Sequence, residues 1–175
     1  MRHDPFTRFA LLCGFLAGIL PLVSFSDAQA QTSDLDVTDR VVVASAVYSL
    51  VQQYFAHWEG APRSEVDGAY REYIAHVVRD SSRKDFDLAT LRFIARLRNG
   101  HTQFVDNSLD GRPLKFRLLE VEDKWVVINS QDSRLPSGSV VRSLNGTPIE
   151  DFAREMSQYV AASNDRIART QLFSY

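Results

Sequence analysis

Arg96-Leu97-Arg98-Asn99-Gly100-His101-Thr102 is the stretch at which the chain changes character. Before it, apolar residues recur every three or four positions, which is typical of amphipathic helices. After it, apolar and polar residues tend to alternate, which is typical of half-buried strands. Gly100 is expected to supply the left-handed residue that ends the last helix, and His101 to begin the first strand. The stretch therefore predicts an α+β protein with helices first and strands after.

Three helices are expected before this stretch. Apolar residues recur at helical spacing over residues 38–58, 64–79 and 85–98. Thr38 is expected to cap the first helix, because a threonine hydroxyl can accept a hydrogen bond from a free backbone N–H of the first turn. Helices joined by short turns can bury a common core. Residues 38–100 are therefore predicted to form a three-helix domain.

Short strands and two more helices are expected after it. The pattern predicts strands at residues 102–105, 114–119, 125–128 and 138–144, with a hairpin turn at 122–124. Asn145-Gly146 is a strong signal for a tight turn, because both residue types tolerate the left-handed backbone. One helix is expected to follow from Ile149 and another from Ser163. These elements predict a small β domain with flanking helices over residues 101–162, after which residues 163–175 begin another segment.

Residues 1–30 are left out of the predicted fold because they have the parts of a secretory signal peptide. Basic residues near the start precede an uncharged apolar run over residues 9–23, and Ala28-Gln29-Ala30 fits a small-residue cleavage site. A retained membrane anchor is the competing interpretation, but the run is short and is broken by two glycines and a proline. The mature chain is therefore expected to begin at Gln31, to be periplasmic or extracellular, and not to be stably inserted in a membrane.

The balance of charge argues against one broad class of function. The chain has 20 lysines and arginines against 22 aspartates and glutamates, whereas a general nucleic-acid binder usually carries an excess of basic residues. Arg92, Arg96 and Arg98 are expected to form the solvated face of the third helix. No nucleic-acid partner is therefore expected.

Cysteine and histidine positions argue against metal and redox chemistry. The only cysteine, Cys13, lies in the predicted signal peptide, so the mature chain is expected to have no disulfide and no thiolate site. His57, His76 and His101 match no known spacing of metal ligands. Neither a metal nor any other cofactor is expected.

Two motifs in this order resemble a known family. Residues 137–152 read Ser-Gly-Ser-Val-Val-Arg-Ser-Leu-Asn-Gly-Thr-Pro-Ile-Glu-Asp-Phe, and the order of strand, Asn-Gly turn, short strand and helix resembles a PDZ-like domain. With the Gly100-His101-Thr102 corner ahead of it, this segment resembles the amino-terminal part of the S41 serine peptidases, the tail-specific and tricorn-like proteases. The resemblance implies a helical domain, a PDZ-like domain and then a catalytic domain that hydrolyses polypeptides.

The resemblance also implies a catalytic role for His101. In the tricorn-like branch, a histidine at this corner is the general base for a serine of the later catalytic domain. The tail-specific branch carries a similar element but uses a serine–lysine pair. The alternative is a structural histidine, whose ring nitrogens bond to nearby backbone while Thr102 continues a strand. The sequence leaves both interpretations open.

The family nucleophile has no counterpart in the sequence. It is a serine in a glycine-flanked turn before a helix, and no serine of the mature chain has that context. Lys84, Lys115 and Lys124 are all predicted to be surface residues, so no lysine base is expected either. The chain alone is therefore expected to be inert, although it resembles part of an enzyme.

The PDZ-like segment also suggests a second function, because PDZ-like domains can add an extended peptide to a sheet edge. Such domains hold the peptide carboxylate with a glycine-rich loop, for which Gly111 and Arg112 are the candidates. The alternative function is thus a non-enzymatic periplasmic peptide-binding or adaptor module. The sequence does not predict an oligomeric state.

Overall fold

The computed structural model describes residues 35–79, 82–105 and 114–174, all of which belong to one compact unit. The predicted signal peptide, residues 1–30, and the carboxylate candidates Gly111 and Arg112 lie outside the described residues. The predicted α+β class is confirmed: three helices come first, and small antiparallel sheets with two further helices follow.

The three predicted amino-terminal helices are present, with shifted ends: α1 (Val37–Tyr54), α2 (Arg63–Arg79) and α3 (Arg83–Ala95). The prediction that Thr38 caps α1 is wrong. Asp36 is the cap, and its Oδ1 accepts hydrogen bonds from the backbone N–H groups of Thr38 at 2.6 Å and Asp39 at 2.9 Å. These bonds hold the pKa of the Asp36 carboxyl below its ordinary value. A carboxylate is the better cap because it also carries a charge that the helix dipole favours.

The first core lies between these helices. It holds thirteen buried apolar side chains, among them Val66, Tyr73, Phe86, Phe93 and Leu97. Tyr73 stacks on Phe93 with ring centroids 5.1 Å apart. Its hydroxyl is paired with the Thr90 hydroxyl at 2.7 Å, and burial raises the pKa of Tyr73 to about 12. The polar group is therefore satisfied inside the core, as a buried hydroxyl must be to avoid a desolvation penalty.

The end of α3 differs from the prediction. Helix α3 stops at Ala95, and the left-handed residue is Arg98, with a φ of 50°, whereas Gly100 has no positive φ. A left-handed arginine is strained, because its Cβ crowds the following carbonyl. Leu97, one residue earlier, is buried in the first core, and this packing fixes where the chain must turn.

The different roles of two glycines give a stability prediction. Gly146 has a φ of 85°, so Gly146→Ala is expected to lower the free energy of unfolding by at least about 1 kcal/mol. Gly100→Ala is expected to change it by less than about 0.5 kcal/mol, because the added Cβ would meet its nearest atoms at 3.6 and 3.8 Å. Urea unfolding of both variants measures the difference. A larger loss for Gly100→Ala would show that the left-handed residue is Gly100 after all.

The β region contains a three-stranded antiparallel sheet in the order β1 (Phe116–Val121), β2 (Lys124–Ser130) and β3 (Val140–Val141). The predicted hairpin turn is confirmed, because Glu122 and Asp123 both have positive φ, as a two-residue turn of this kind requires. The predicted Asn145-Gly146 turn is also confirmed. It joins β4 (Ser143–Leu144) to β5 (Thr147–Pro148), so the predicted single strand 138–144 is in fact two short strands.

The predicted strand at residues 102–105 does not form. Its residues have no regular secondary structure, because no described strand lies beside them. Alternation in the sequence reports which side chains face the core, but a strand also needs a partner for its backbone.

Helices α4 (Ile149–Ser157) and α5 (Asp165–Leu172) complete the fold. They pack on β1 and β2 around a second core, whose buried members are Leu118, Trp125, Val127, Ile149, Ala153 and Phe173. Phe173, just after α5, lies against Trp125 at 4.9 Å and Phe152 at 5.9 Å between ring centroids. This contact fixes α5 to the sheet. Among the described helices, none has the length and apolar character to cross a membrane.

A charged network also ties α5 to the sheet. The Arg169 guanidinium donates two hydrogen bonds of 2.8 Å to the Glu120 carboxylate on β1 and one of 2.8 Å to Glu150 on α4. Glu150 also accepts a hydrogen bond of 2.8 Å from Trp125 Nε1. Arg169 thereby holds the pKa of the Glu120 carboxyl below its ordinary value of 4.5. One arginine thus joins three separate elements.

This network predicts a pH dependence. A carboxyl whose pKa is lowered in the folded state stabilises the fold above its unfolded pKa, and this contribution is lost as pH falls through the lower, folded value. We expect Arg169→Met to lower the free energy of unfolding by about 1–2 kcal/mol near neutral pH. This range lies between the values for exposed ion pairs and those for buried hydrogen bonds to charged groups. The gap between wild type and variant should begin to close as pH falls below the ordinary glutamate pKa of 4.5 and continue to close through the lower, folded pKa. Urea unfolding at several pH values would contradict this if the gap stayed constant.

Candidate functional site

His101 lies at a corner of the chain whose backbone is held by hydrogen bonds to Asn99. Its N–H donates to Asn99 Oδ1 at 2.8 Å, and the next N–H, that of Thr102, donates to the Asn99 carbonyl at 3.2 Å. Asn99 itself is buried, with 8% of its surface exposed. A polar side chain in the interior thus fixes the backbone of a histidine at the surface.

The His101 side chain lines a broad cleft of about 780 Å³, which we call the histidine cleft. Its walls come from three places in the sequence. These are residues 56–60 after α1, residues 98–101 at the corner, and Ser163, Ile167 and Gln171 on and before α5. The fixing of α5 to the sheet by Phe173 and Arg169 therefore also sets one wall of this cleft.

The His101 imidazole is exposed and has no hydrogen bond or ion pair to any described residue. The structural interpretation of this histidine expected two features: ring nitrogens bonded to nearby backbone, and a strand continued by Thr102. Neither is found in the described part of the chain. What remains is an exposed imidazole on a fixed backbone, among the residues that line a cleft.

The cleft brings in residues that sequence reasoning did not connect with His101. His57 and Glu59, in the turn after α1, share its lining, and so does Ser163. Ser163 precedes Asn164, the cap of α5, whose Oδ1 accepts a hydrogen bond from the Ile167 N–H at 2.9 Å. No hydrogen bond joins Ser163 to His101, so the two do not form a nucleophile–base pair in this structure. No sequence signal could have placed these segments together, because only tertiary packing brings them close.

A second concave surface begins on the other side of the corner. This α1 groove has a volume of about 460 Å³ and is lined mainly by apolar side chains, among them Val47, Leu50, Tyr54 and Phe104, together with His101. Leu50 is 56% exposed and Tyr54 is 76% exposed. His101 thus lines both a cleft of mixed polar and apolar character and a more apolar groove.

The other histidine considered at the sequence level lies elsewhere. His76 lines a separate cavity of about 80 Å³ between α2 and α3, away from the cleft that His57 and His101 share. Within the described ranges, no group of three or more His, Cys, Asp or Glu side chains is arranged to hold a metal ion.

The expectation that Arg92 belongs to a solvated helix face is wrong. Its Nη2 donates to the Tyr159 hydroxyl at 2.9 Å, and its guanidinium lies 5.2 Å from the centre of that ring. Its Nε is buried and has no partner among the described residues. Arg96 and Arg98 are exposed, as expected. Arg92 instead links α3 to the segment after α4.

The outer edge of the sheet bears on the peptide-binding alternative. The Leu118 N–H of β1 donates to the Phe173 carbonyl at 3.3 Å. This part of the β1 edge is therefore occupied by the end of α5, where a peptide would otherwise be added.

Comparison with known proteins gives no family for the chain: no protein-family model matches it, and no curated protein matches it. The arrangement presents an accessible imidazole on a fixed corner, which can accept a proton from a hydroxyl group brought into the cleft. Among the described residues, none is placed to supply that hydroxyl.

Proposed function

We propose that this chain is the amino-terminal helical and PDZ-like portion of an exported S41-type serine peptidase, and that His101 is the general base of that enzyme. The serine that it activates is proposed to lie outside residues 1–175. One observation carries the proposal: the His101 imidazole is exposed and unpaired with any described residue, while its backbone is fixed by the buried Asn99. A general base needs both features, because it must be held in position while its ring stays free to accept the proton of the serine hydroxyl.

The chemistry follows the usual course of serine acyl transfer. The imidazole accepts the proton of the serine hydroxyl as the serine oxygen bonds to the peptide carbonyl carbon, and it returns that proton to the amine that leaves. Water then attacks the acyl-enzyme, with the same imidazole as base. Histidine suits both steps because its side chain gains and loses a proton near neutral pH.

The β region is proposed to support this site rather than to act as an independent adaptor. Two observations favour this over the peptide-binding alternative. Phe173 occupies part of the β1 edge, and α5, which Phe173 and Arg169 hold against the sheet, supplies Ile167 and Gln171 to the cleft. The β region therefore fixes one wall of the histidine cleft.

The gene downstream of codon 175 provides the first test. The proposal expects the reading frame to continue for about 150–250 residues, the size of a typical further domain, with a serine in a glycine-flanked turn before a helix. A stop codon directly after codon 175 would contradict the proposal for this gene product.

A further inference from the structure

We propose that Asn99 is the positioning residue of His101, and that it holds the histidine with an uncharged acceptor so that no negative charge lies beside the imidazole. This inference rests on the proposed function, because it takes His101 to be a general base. It adds a second residue on which that base depends. It also gives a chemical reason for an asparagine, and not an aspartate, at this position.

The Asn99 side chain, and not the backbone, holds the His101 N–H. The Asn99 Oδ1 accepts from this N–H at 2.8 Å, and no backbone carbonyl of the described residues accepts from it. The Asn99 carbonyl accepts from the Thr102 N–H at 3.2 Å, so the chain is bonded on both sides of the imidazole. Loss of the amide would leave the Thr102 bond in place but would free the backbone of His101.

Asn99 can hold this corner because its own position is fixed. Asn99 is 8% exposed, and Leu97, two residues earlier, is 1% exposed in the first core. Arg98 lies between them with a φ of 50°, a strained conformation that persists only where the surrounding structure maintains it. Packing of the helical region therefore positions the Asn99 amide, and His101 is positioned through that amide.

The absence of charge on this acceptor matters for a base. An aspartate would make the same hydrogen bond, since the side chains of both residue types accept from the N–H two residues on. Its charge would lie close to the imidazole, because the ring belongs to the residue whose N–H the acceptor contacts. A nearby negative charge favours the imidazolium, which cannot accept the proton of a serine hydroxyl. An amide therefore holds the corner and leaves the ring in its base form.

Other ionisable groups also face His101, but they lie at the surface. In the histidine cleft, His57 and Glu59 come from the turn after α1 and Arg98 comes from the corner itself. In the α1 groove, the ionisable neighbour is Tyr54, while the α5 wall of the cleft contributes uncharged side chains. All four groups are exposed, so water and salt weaken their effect on the ring. A carboxylate at position 99 would instead be buried and bonded to the histidine backbone.

Asn99→Asp tests the role of charge in the purified chain. NMR titration measures the pH at which the His101 ring is half protonated. Asn99→Asp is expected to raise this pH by about 0.5–1 unit, because a buried negative charge stabilises the imidazolium. Asn129→Asp makes the same chemical change at an exposed position on β2 and is expected to leave it unchanged. No rise in Asn99→Asp, or an equal rise in both variants, would overturn the proposal.

Asn99→Ala and Asn99→Ser test the hydrogen bond in the longer gene product that the proposed function expects. Alanine removes the acceptor and is expected to lower kcat about 10–100-fold with little change in KM, because the base is then misplaced. Serine keeps a short uncharged acceptor and is expected to recover much of the loss. Asn99→Asp is expected to recover it only at a pH above its raised titration midpoint. Wild-type kcat in Asn99→Ala, or no gain from serine over alanine, would also overturn the proposal.

Different results would contradict this inference and the proposed function. If Asn99→Asp shifts the ring titration but the pH profile of kcat/KM does not follow, then His101 is not the base and the proposed function fails. If turnover requires His101 but is unaffected by every substitution at Asn99, the proposed function stands and this inference fails.

Discussion

His101→Ala, made in the gene product that carries the serine, is expected to lower kcat by about 10²–10⁴-fold, the usual contribution of a general base. The KM is expected to change little, because the imidazole acts on the serine proton and not on the bound substrate. Steady-state hydrolysis of a peptide substrate measures both constants.

The same substitution is expected to leave stability within about 0.5 kcal/mol of wild type, because it removes an exposed side chain with no described partner. Thermal unfolding checks this and separates a catalytic loss from a folding defect. His76→Ala is the matched control, since it makes the same chemical change at a histidine that lines a different cavity. Unchanged turnover in His101→Ala, or an equal loss in His76→Ala, would contradict the assignment of the base.

Phe173→Ala is expected to lower the free energy of unfolding by about 3–5 kcal/mol, the range for deleting a buried phenylalanine ring. Phe173 is 1% exposed and packs between Trp125 and Phe152, so alanine would leave a cavity in the second core. The Phe173 carbonyl also accepts a hydrogen bond from the Leu118 N–H of β1. This bond would be lost if the chain end were displaced. Urea unfolding measures the loss.

Ile128→Ala is the control for this prediction. Ile128 lies on β2 but is 47% exposed, so its loss is expected to cost less than about 1 kcal/mol. Comparable losses at the two positions would mean that the end of α5 is not packed into the second core. In that case the wall of the histidine cleft would not be fixed as described.

Local sequence signals predicted most of the regular structure. The three helices follow from apolar periodicity, and the Asn145-Gly146 turn follows from residue types that tolerate positive φ. The turn at residues 122–124 follows from a short charged stretch between two strand patterns. The failures occur where two local signals compete or where a partner is needed. Asp36 and Thr38 are both good capping residues, and only the structure shows which one meets the free N–H groups. Gly100 is the usual left-handed residue, but the burial of Leu97 placed the turn at Arg98.

Strand pairing and the composition of the cleft could not be predicted in this way. The alternation at residues 102–105 shows which faces are buried, but it does not supply a neighbouring strand. Likewise, Ser163 reaches the histidine cleft because Phe173 and Arg169 fix α5 against the sheet, whereas His57 reaches it from the turn after α1. His101 was the residue of this site that the sequence predicted, because its position at a corner follows from the residues next to it in the chain.

Covalent labelling of the activated serine tests whether His101 is the general base. A fluorophosphonate probe reacts with the oxygen of a serine that a base has activated, and mass spectrometry of the labelled gene product locates the residue. The account predicts rapid labelling of a serine beyond residue 175 in the wild-type protein and little labelling in His101→Ala. Equal labelling of the two proteins, or a label on Ser163, would contradict it.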